Sequence, residues 1–271
     1  MRIRLLLALL LVPAYVCAQE SLLVRGRIVN ERGEAVEYVQ VGVPKLQIGT
    51  ISDAYGRFEI NLPADTLQFH HVSYETAFYS VTRPAEDVLI VMKEQELQPA
   101  VFIGGDTREK YLLRAGTRIP GAVGDFNCTA GAVRGGEMGA VARARKPFLI
   151  KDILFSVKSN SIPGCVASVN IYRIEGDPEE FINILHRPIY VSIPVSDENQ
   201  DFDIEPEDII LLEPGRYFIS FNLVDYDNGP DAMHLLTPLY FKDSYQRLGT
   251  MGKLIRIPVN IGIAVKGLEY K

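Results

Sequence analysis

"GTISDAYGRFEINLPADTLQFHHVSYET", residues 49–76, decides the fold. Phe58, Ile60 and Leu62 alternate with charged and polar neighbours, and Leu67 and Phe69 do the same after a Pro-Ala-Asp break. A period of two over short runs, with turn residues between, marks half-buried antiparallel strands. Asp53 and Gly56 bracket a tight turn. The Asp side chain caps the turn backbone and Gly takes a positive φ. Asp53 with His70 and His71 raises a metal site as an alternative. Neighbouring residues on a strand point to opposite faces, which disfavours shared ligation by the two histidines.

The same pattern extends both ways. "SLLVRGRIV" (21–29), "VQVGV" (39–43), "AFYSV" (77–81) and "DVLIVM" (87–92) alternate or run apolar, with turn signals between them. About seven short strands in this span predict a small β-sandwich. The segment "VRGRIVNERGEAVEYVQVGVPKLQIGTISDAYGRFEINLPADTLQFHHVSYET" resembles the carboxypeptidase regulatory-like domain, a transthyretin-like sandwich. The likeness covers residues 22 to about 94 and rests on Gly26, the "ERGEAVEYVQV" turn and strand, "GTISDAYGRFEI" and "LPADTLQFHHVSYET". Ser73 stands where the family usually has glycine. The resemblance implies a non-catalytic accessory module, of a kind common at the front of secreted and outer-membrane proteins of Bacteroidota.

The N-terminus reads "MRIRLLLALLLVPAYVCA". Arg2 and Arg4 give a basic start, Leu5 to Val12 an apolar run, and Val16 and Ala18 the small residues of a cleavage site. This predicts a secretory signal peptide over residues 1–18, with Gln19 as the new N-terminus. Cys17 raises lipidation as the alternative, but a lipobox needs a smaller residue than Val16 before the cysteine. Cleavage removes two of the 28 basic residues and none of the 34 acidic ones, so the mature chain carries a net charge of −8. That charge disfavours nucleic acid and anionic membrane as partners. No other run has the length of a spanning helix, which predicts no transmembrane segment in the mature chain. Localisation follows as periplasm, outer membrane or cell surface.

Residues 19–94 form the first expected domain and 95–119 a linker, in which "REKYLLR" (108–114) has the length of two helical turns. Strand patterning resumes in residues 120–271, from "KPFLIKDILFSV" through "VNIYRI" and "EPGRYFISFNLV" to "GIAVKGLEY". Eight or more strands there predict a jelly-roll-like β-sandwich. The order of these segments resembles the C-terminal sandwich of uncharacterised Bacteroidota envelope proteins, and the jelly rolls of carbohydrate-binding and adhesive modules. The predicted fold is all-β, two sandwiches in tandem.

Chemistry is sparse. There are four histidines, with no Gly-x-Ser-x-Gly elbow and no HExxH helix. Acidic residues are numerous enough to leave a hydrolytic carboxylate pair as a third alternative. Export makes a disulfide between Cys128 and Cys165 possible, with two buried thiols as the other option. In "DYDNGPD", Asp225, Tyr226, Asp227 and Asn228 form the candidate ligand-binding loop, against a plain Asp-Asn-Gly hairpin turn or a calcium-held one. The expectation is a secreted, non-enzymatic envelope protein acting in binding or assembly, without a cofactor. Its expected partner is an envelope protein or a glycan. The runner-up is a carbohydrate-binding or adhesive protein using the second sandwich.

Overall fold

The computed structural model describes residues 21–96, 104–115, 118–128, 134–227, 229, 231–238, 243–257 and 261–271. The signal-peptide segment therefore lies outside the described residues. The fold is all-β, with no α-helix among the described residues and one 3-10 turn at Pro44–Leu46.

Seven strands build the first sandwich: β1 (Leu22–Asn30), β2 (Gln40–Val43), β3 (Ile48–Ile51), β4 (Arg57–Leu62), β5 (Asp65–His71), β6 (Tyr74–Val81) and β7 (Ala85–Met92). One sheet runs β4-β1-β7 and the other β3-β2-β5-β6. The alternating residues read from sequence face inward: Phe58, Ile60, Leu62, Leu67 and Phe69 join Val24, Ile28 and Val41 in one core. The turn into β4 is as expected. Asp53 Oδ1 accepts the backbone N–H groups of Tyr55 (2.9 Å) and Arg57 (2.8 Å), and Gly56 has φ +73°.

The second sandwich begins with β8 (Thr107–Leu113), β9 (Arg118–Asn127), β10 (Glu137–Ala144), β11 (Phe148–Asn160) and β12 (Val166–Glu175). It continues with β13 (Glu180–Asn183), β14 (Ile189–Ser192), β15 (Gln200–Ile204), β16 (Leu211–Leu212) and β17 (Gly215–Asp225). It closes with β18 (Ala232–Pro238), β19 (Ser244–Arg247), β20 (Ile255–Ile257) and β21 (Ala264–Tyr270). One sheet runs β13-β12-β17-β10-β19-β20, with β14 also on β12. The other runs β8-β21-β11-β18-β9, with β15 and β16 also on β11. Phe148, Phe155, Ile171, Ile219, Phe221 and Val265 are among the residues packed between them. Each fully buried side chain of this size contributes about 1.5–3 kcal/mol.

"REKYLLR" is not helical. Most of it is β8, paired antiparallel to β21 with Lys110 opposite Gly267 and Arg108 opposite Glu269. Seven residues are too few for a stable isolated helix. The open edge of β21 supplies a ladder instead, and the charges pair across it: Glu269 with Arg108 (3.0 Å) and with Lys110, and Lys266 with Glu109 (2.9 Å). The expected linker thus contains a strand of the second sandwich.

The two sandwiches meet over one part of the outer face of the β12-β17-β10-β19 sheet, around Ser168, Asn222 and Arg247; the part around Phe218 and Tyr245 is covered by Phe181 and Leu254 of the second sandwich itself. Ser73 Oγ donates to the His186 carbonyl (2.9 Å), Tyr38 and Tyr190 meet edge to face at 4.9 Å, and Val72 packs against the second core. Gly49, opposite Gly42 in the β2–β3 ladder, lies under the 248–252 turn. A Cβ at Gly49 would stand 2.7 Å from the Thr250 carbonyl and 2.8 Å from Met251 Cγ. Glycine is what lets that turn sit flat on the first sandwich.

Candidate functional site: a polar face closed between two sandwiches

On β12, Ala167, Val169 and Ile171 enter the core, so Ser168, Asn170 and Tyr172 point the other way. On β17, Ile219, Phe221 and Leu223 enter the core, leaving Phe218, Ser220 and Asn222 outward. Register aligns them. Ser168 is opposite Asn222, Asn222 opposite Glu137 on β10, and Glu137 opposite Arg247 on β19. A second row holds Asn170, Ser220, Gly139 and Tyr245. Such a face normally meets water. Here Ser220 and Glu137 have no exposed surface, and Asn222 retains 1%.

A buried carboxylate must be paired and hydrogen-bonded. Glu137 is. Arg247 Nη2 lies 2.5 Å from it, Ser220 Oγ donates at 2.5 Å, Asn170 Nδ2 at 3.1 Å and the Tyr172 hydroxyl at 3.4 Å. Arg247 Nη2 also donates to the Tyr172 oxygen (2.8 Å), and Asn183 Nδ2 to Asn170 Oδ1 (3.2 Å). Burial works against the Arg247 charge. The Glu137 carboxylate and Tyr172 more than offset it and hold its pKa above the ordinary value. Two atoms of this face remain without a partner, Asn222 Oδ1 and Arg247 Nε; Ser244 Oγ, opposite Ala140 on β19, is a third buried orphan.

The first sandwich supplies the opposite wall. Gln40, Ile51, His70 and Tyr38 face Ser168, Asn222 and Arg247 across a cavity of about 430 Å³. Ile182, nearly half exposed, and Tyr190 also line it. His71 Nδ1 accepts the Ser73 N–H (3.2 Å), so its Nε2 carries the proton and donates to the Tyr190 hydroxyl (3.3 Å). Burial, and then His70 beside it, lower the His71 pKa to about 4. Burial, and then Arg247, lower that of His70. Both rings are neutral at pH 7. Among the described residues, no group of three or more His, Cys, Asp or Glu is placed to hold a metal ion.

The loop singled out in sequence lies elsewhere. Asp225 ends β17, and neither it, Tyr226 nor Asp227 lines the cavity. Arg134 holds this loop: it pairs with Asp225 (3.0 Å), donates to the Tyr226 carbonyl (2.9 Å) and lies over the Tyr226 ring at 5.1 Å. Asp227 donates its N–H to Pro163 (2.9 Å). Asn228 lies outside the described residues. Cys128 and Cys165 stand as buried free thiols, not as a bridge. Burial pushes the Cys165 thiol up to about 12, and it raises Cys128 as well. Neither is an activated nucleophile.

Fold and face together define a tandem-sandwich all-β protein with a polar cavity between its halves. Residues 24–102 match the family model of the CarboxypepD_reg-like domain, which covers the first sandwich. Among solved structures, the chain is similar to a DUF3823 family protein from Parabacteroides merdae ATCC 43184. That likeness has 11% identity over 92% of this chain and 98% of the other, with a TM-score of 0.21. It is also similar to a chain of the T13 IBDV viral particle, at 11% identity over 96% of this chain and 60% of the other, with a TM-score of 0.31. No curated protein matches the chain.

Proposed function

We propose that this is an exported, non-enzymatic cell-envelope protein that binds a small ligand between its two sandwiches. The observation that carries the reading is a cavity of ligand size walled by both sandwiches and lined by the polar side chains of Gln40, Ser168, Asn183 and Asn222. Export is supported by the N-terminal segment, and an accessory role by the CarboxypepD_reg-like match. The absence of turnover is supported by how the reactive groups are used. Glu137 is locked by Arg247 and three donors, His71 is bonded at both nitrogens, and both thiols are held protonated.

A thermal-shift screen of the mature protein against sugars, amino acids, nucleosides and organic acids tests the binding reading. At least one compound should stabilise the wild type and lose its effect in Asn222→Leu. A screen with no hit in any class contradicts binding at this face. Peptide, ester and glycoside substrates should show no turnover. Hydrolysis of any of them, lost on substituting an acidic residue, overturns the non-enzymatic reading.

A further inference from the structure

We infer that mild acid parts the two sandwiches along a seam pinned by His71, opening the cavity between them while each sandwich keeps its own fold. Among the described residues no strand ladder crosses the seam: each of the four sheets lies within one sandwich or the other. Each half also has a core of its own. Parting therefore breaks side-chain contacts and leaves the ladders and both cores intact. Ile51 and Val224 show where the seam runs. Both are buried and line the cavity, yet neither belongs to the core of its own sandwich. An interface made without backbone ladders is where two domains of one chain separate most readily.

The pin is the His71-Val72-Ser73 turn. His71 Nε2 donates to the Tyr190 hydroxyl, Ser73 Oγ donates to the His186 carbonyl, and Val72 between them packs on the second core. This arrangement requires a neutral imidazole. Nδ1 accepts the Ser73 N–H, and a proton placed there sets N–H against N–H. The surroundings give the added charge no counter-ion. His70 adjoins on β5, and Tyr74 of β6 packs on the His71 ring. Glu37 and Glu94 from the first sandwich, and His186, Arg187 and Glu207 from the second, line the cleft beside it. Among the described residues none of these carboxylates is paired with either ring; the bonds of the rings go to Thr76, Tyr190 and Ser73. Across the seam His70 faces Arg247 of β19, whose charge opposes a second cation.

Opening replaces this environment with water. His71 has a pKa of about 4 in the closed protein, against an ordinary value of 6.5 once exposed. Between these values the open form binds more protons, so each step down in pH favours it. Through His71 alone, the open-to-closed ratio at pH 5 stands roughly thirtyfold above its value at pH 7.5. His70 adds in the same direction.

The test is hydroxyl-radical footprinting of the mature protein at pH 7.5 and pH 5.0, read by mass spectrometry, with exposed Tyr55 and Phe78 as internal references. Relative to these, modification of Ile51 and Val224 should rise at least fivefold at pH 5.0. Phe69 and Phe221, fully buried in the two cores, should stay protected. His71→Gln should at least halve the rise, and His71→Asn serves if that variant does not fold. Three results overturn the inference. One is equal modification of Ile51 and Val224 at the two pH values. Another is a rise shared by Phe69 and Phe221, which is unfolding rather than parting. The third is a rise that the His71 variant keeps in full. None of them bears on ligand binding, so this inference and the binding reading stand or fall separately.

Discussion

Arg247→Met should lower the unfolding free energy by roughly 3–5 kcal/mol. Methionine keeps most of the apolar stem, so the loss reports the charge rather than the packing. Glu137 has no exposed surface, and Arg247 is the cation paired with it. Ser220, Asn170 and Tyr172 continue to donate to the carboxylate, but neutral donors do not offset a full charge in a low-dielectric interior. The double variant Arg247→Met with Glu137→Gln removes both charges and should recover most of the loss. Urea unfolding at pH 7.5 reads all three proteins on one scale. A cost below about 1 kcal/mol for the single variant would match an exposed surface pair, and the buried network would then not exist in solution.

Acid should destabilise the protein by up to about 3 kcal/mol between pH 6.5 and about 4, through His71 alone. In the unfolded chain His71 takes up a proton near its ordinary pKa of 6.5. In the folded chain its pKa is about 4. Between these values the unfolded state binds more protons, so each step down in pH favours unfolding. The loss begins below 6.5 and saturates below about 4. The geometry gives the same sign, because protonating Nδ1 would set an N–H against the Ser73 N–H it now accepts. His70, also lowered by burial, adds in the same direction. His71→Gln offers an amide oxygen to Ser73 and should remove most of the slope in this window. If wild-type stability is flat from pH 7 to 4.5, His71 is in contact with water and Tyr190 does not cover it.

The strands were legible because periodicity is local. Phe58, Ile60 and Leu62 announce their own face, and Asp53 with Gly56 announces its own turn. β8 was not legible. Its charges suit a helix surface as well as a strand edge, and only β21, some 150 residues away in sequence, decides between them. The polar face failed for a related reason. Ser168, Asn170, Ser220 and Asn222 alternate with core residues as a solvated face would, and alternation says which residues share a side, not what covers it. Glu137 in "RGGEMGAV" and Arg247 in "SYQRLGT" carry no motif at all; a ladder brings them together across 110 residues. One signal was available. Over the middle of β12 and β17 the outward residues Ser168, Asn170, Tyr172, Phe218, Ser220 and Asn222 carry no charge, unusual for strands that meet water; Arg216, at the start of β17, is the charged exception. The 225–228 loop drew notice because its charges are dense in sequence, whereas Arg134, which pairs with Asp225, lies about ninety positions earlier.

The central claim is that the first sandwich covers the polar face of the second. Hydroxyl-radical footprinting of the intact protein, read by mass spectrometry, tests it most directly. His71 and Tyr172, at 8% and 7% exposure, should be protected, while Tyr55 and Phe78, at 64% and 66%, should be modified readily. Modification of His71 and Tyr172 at rates matching Tyr55 and Phe78 would mean that the face is open to water, and the account of a closed site between the sandwiches would be wrong.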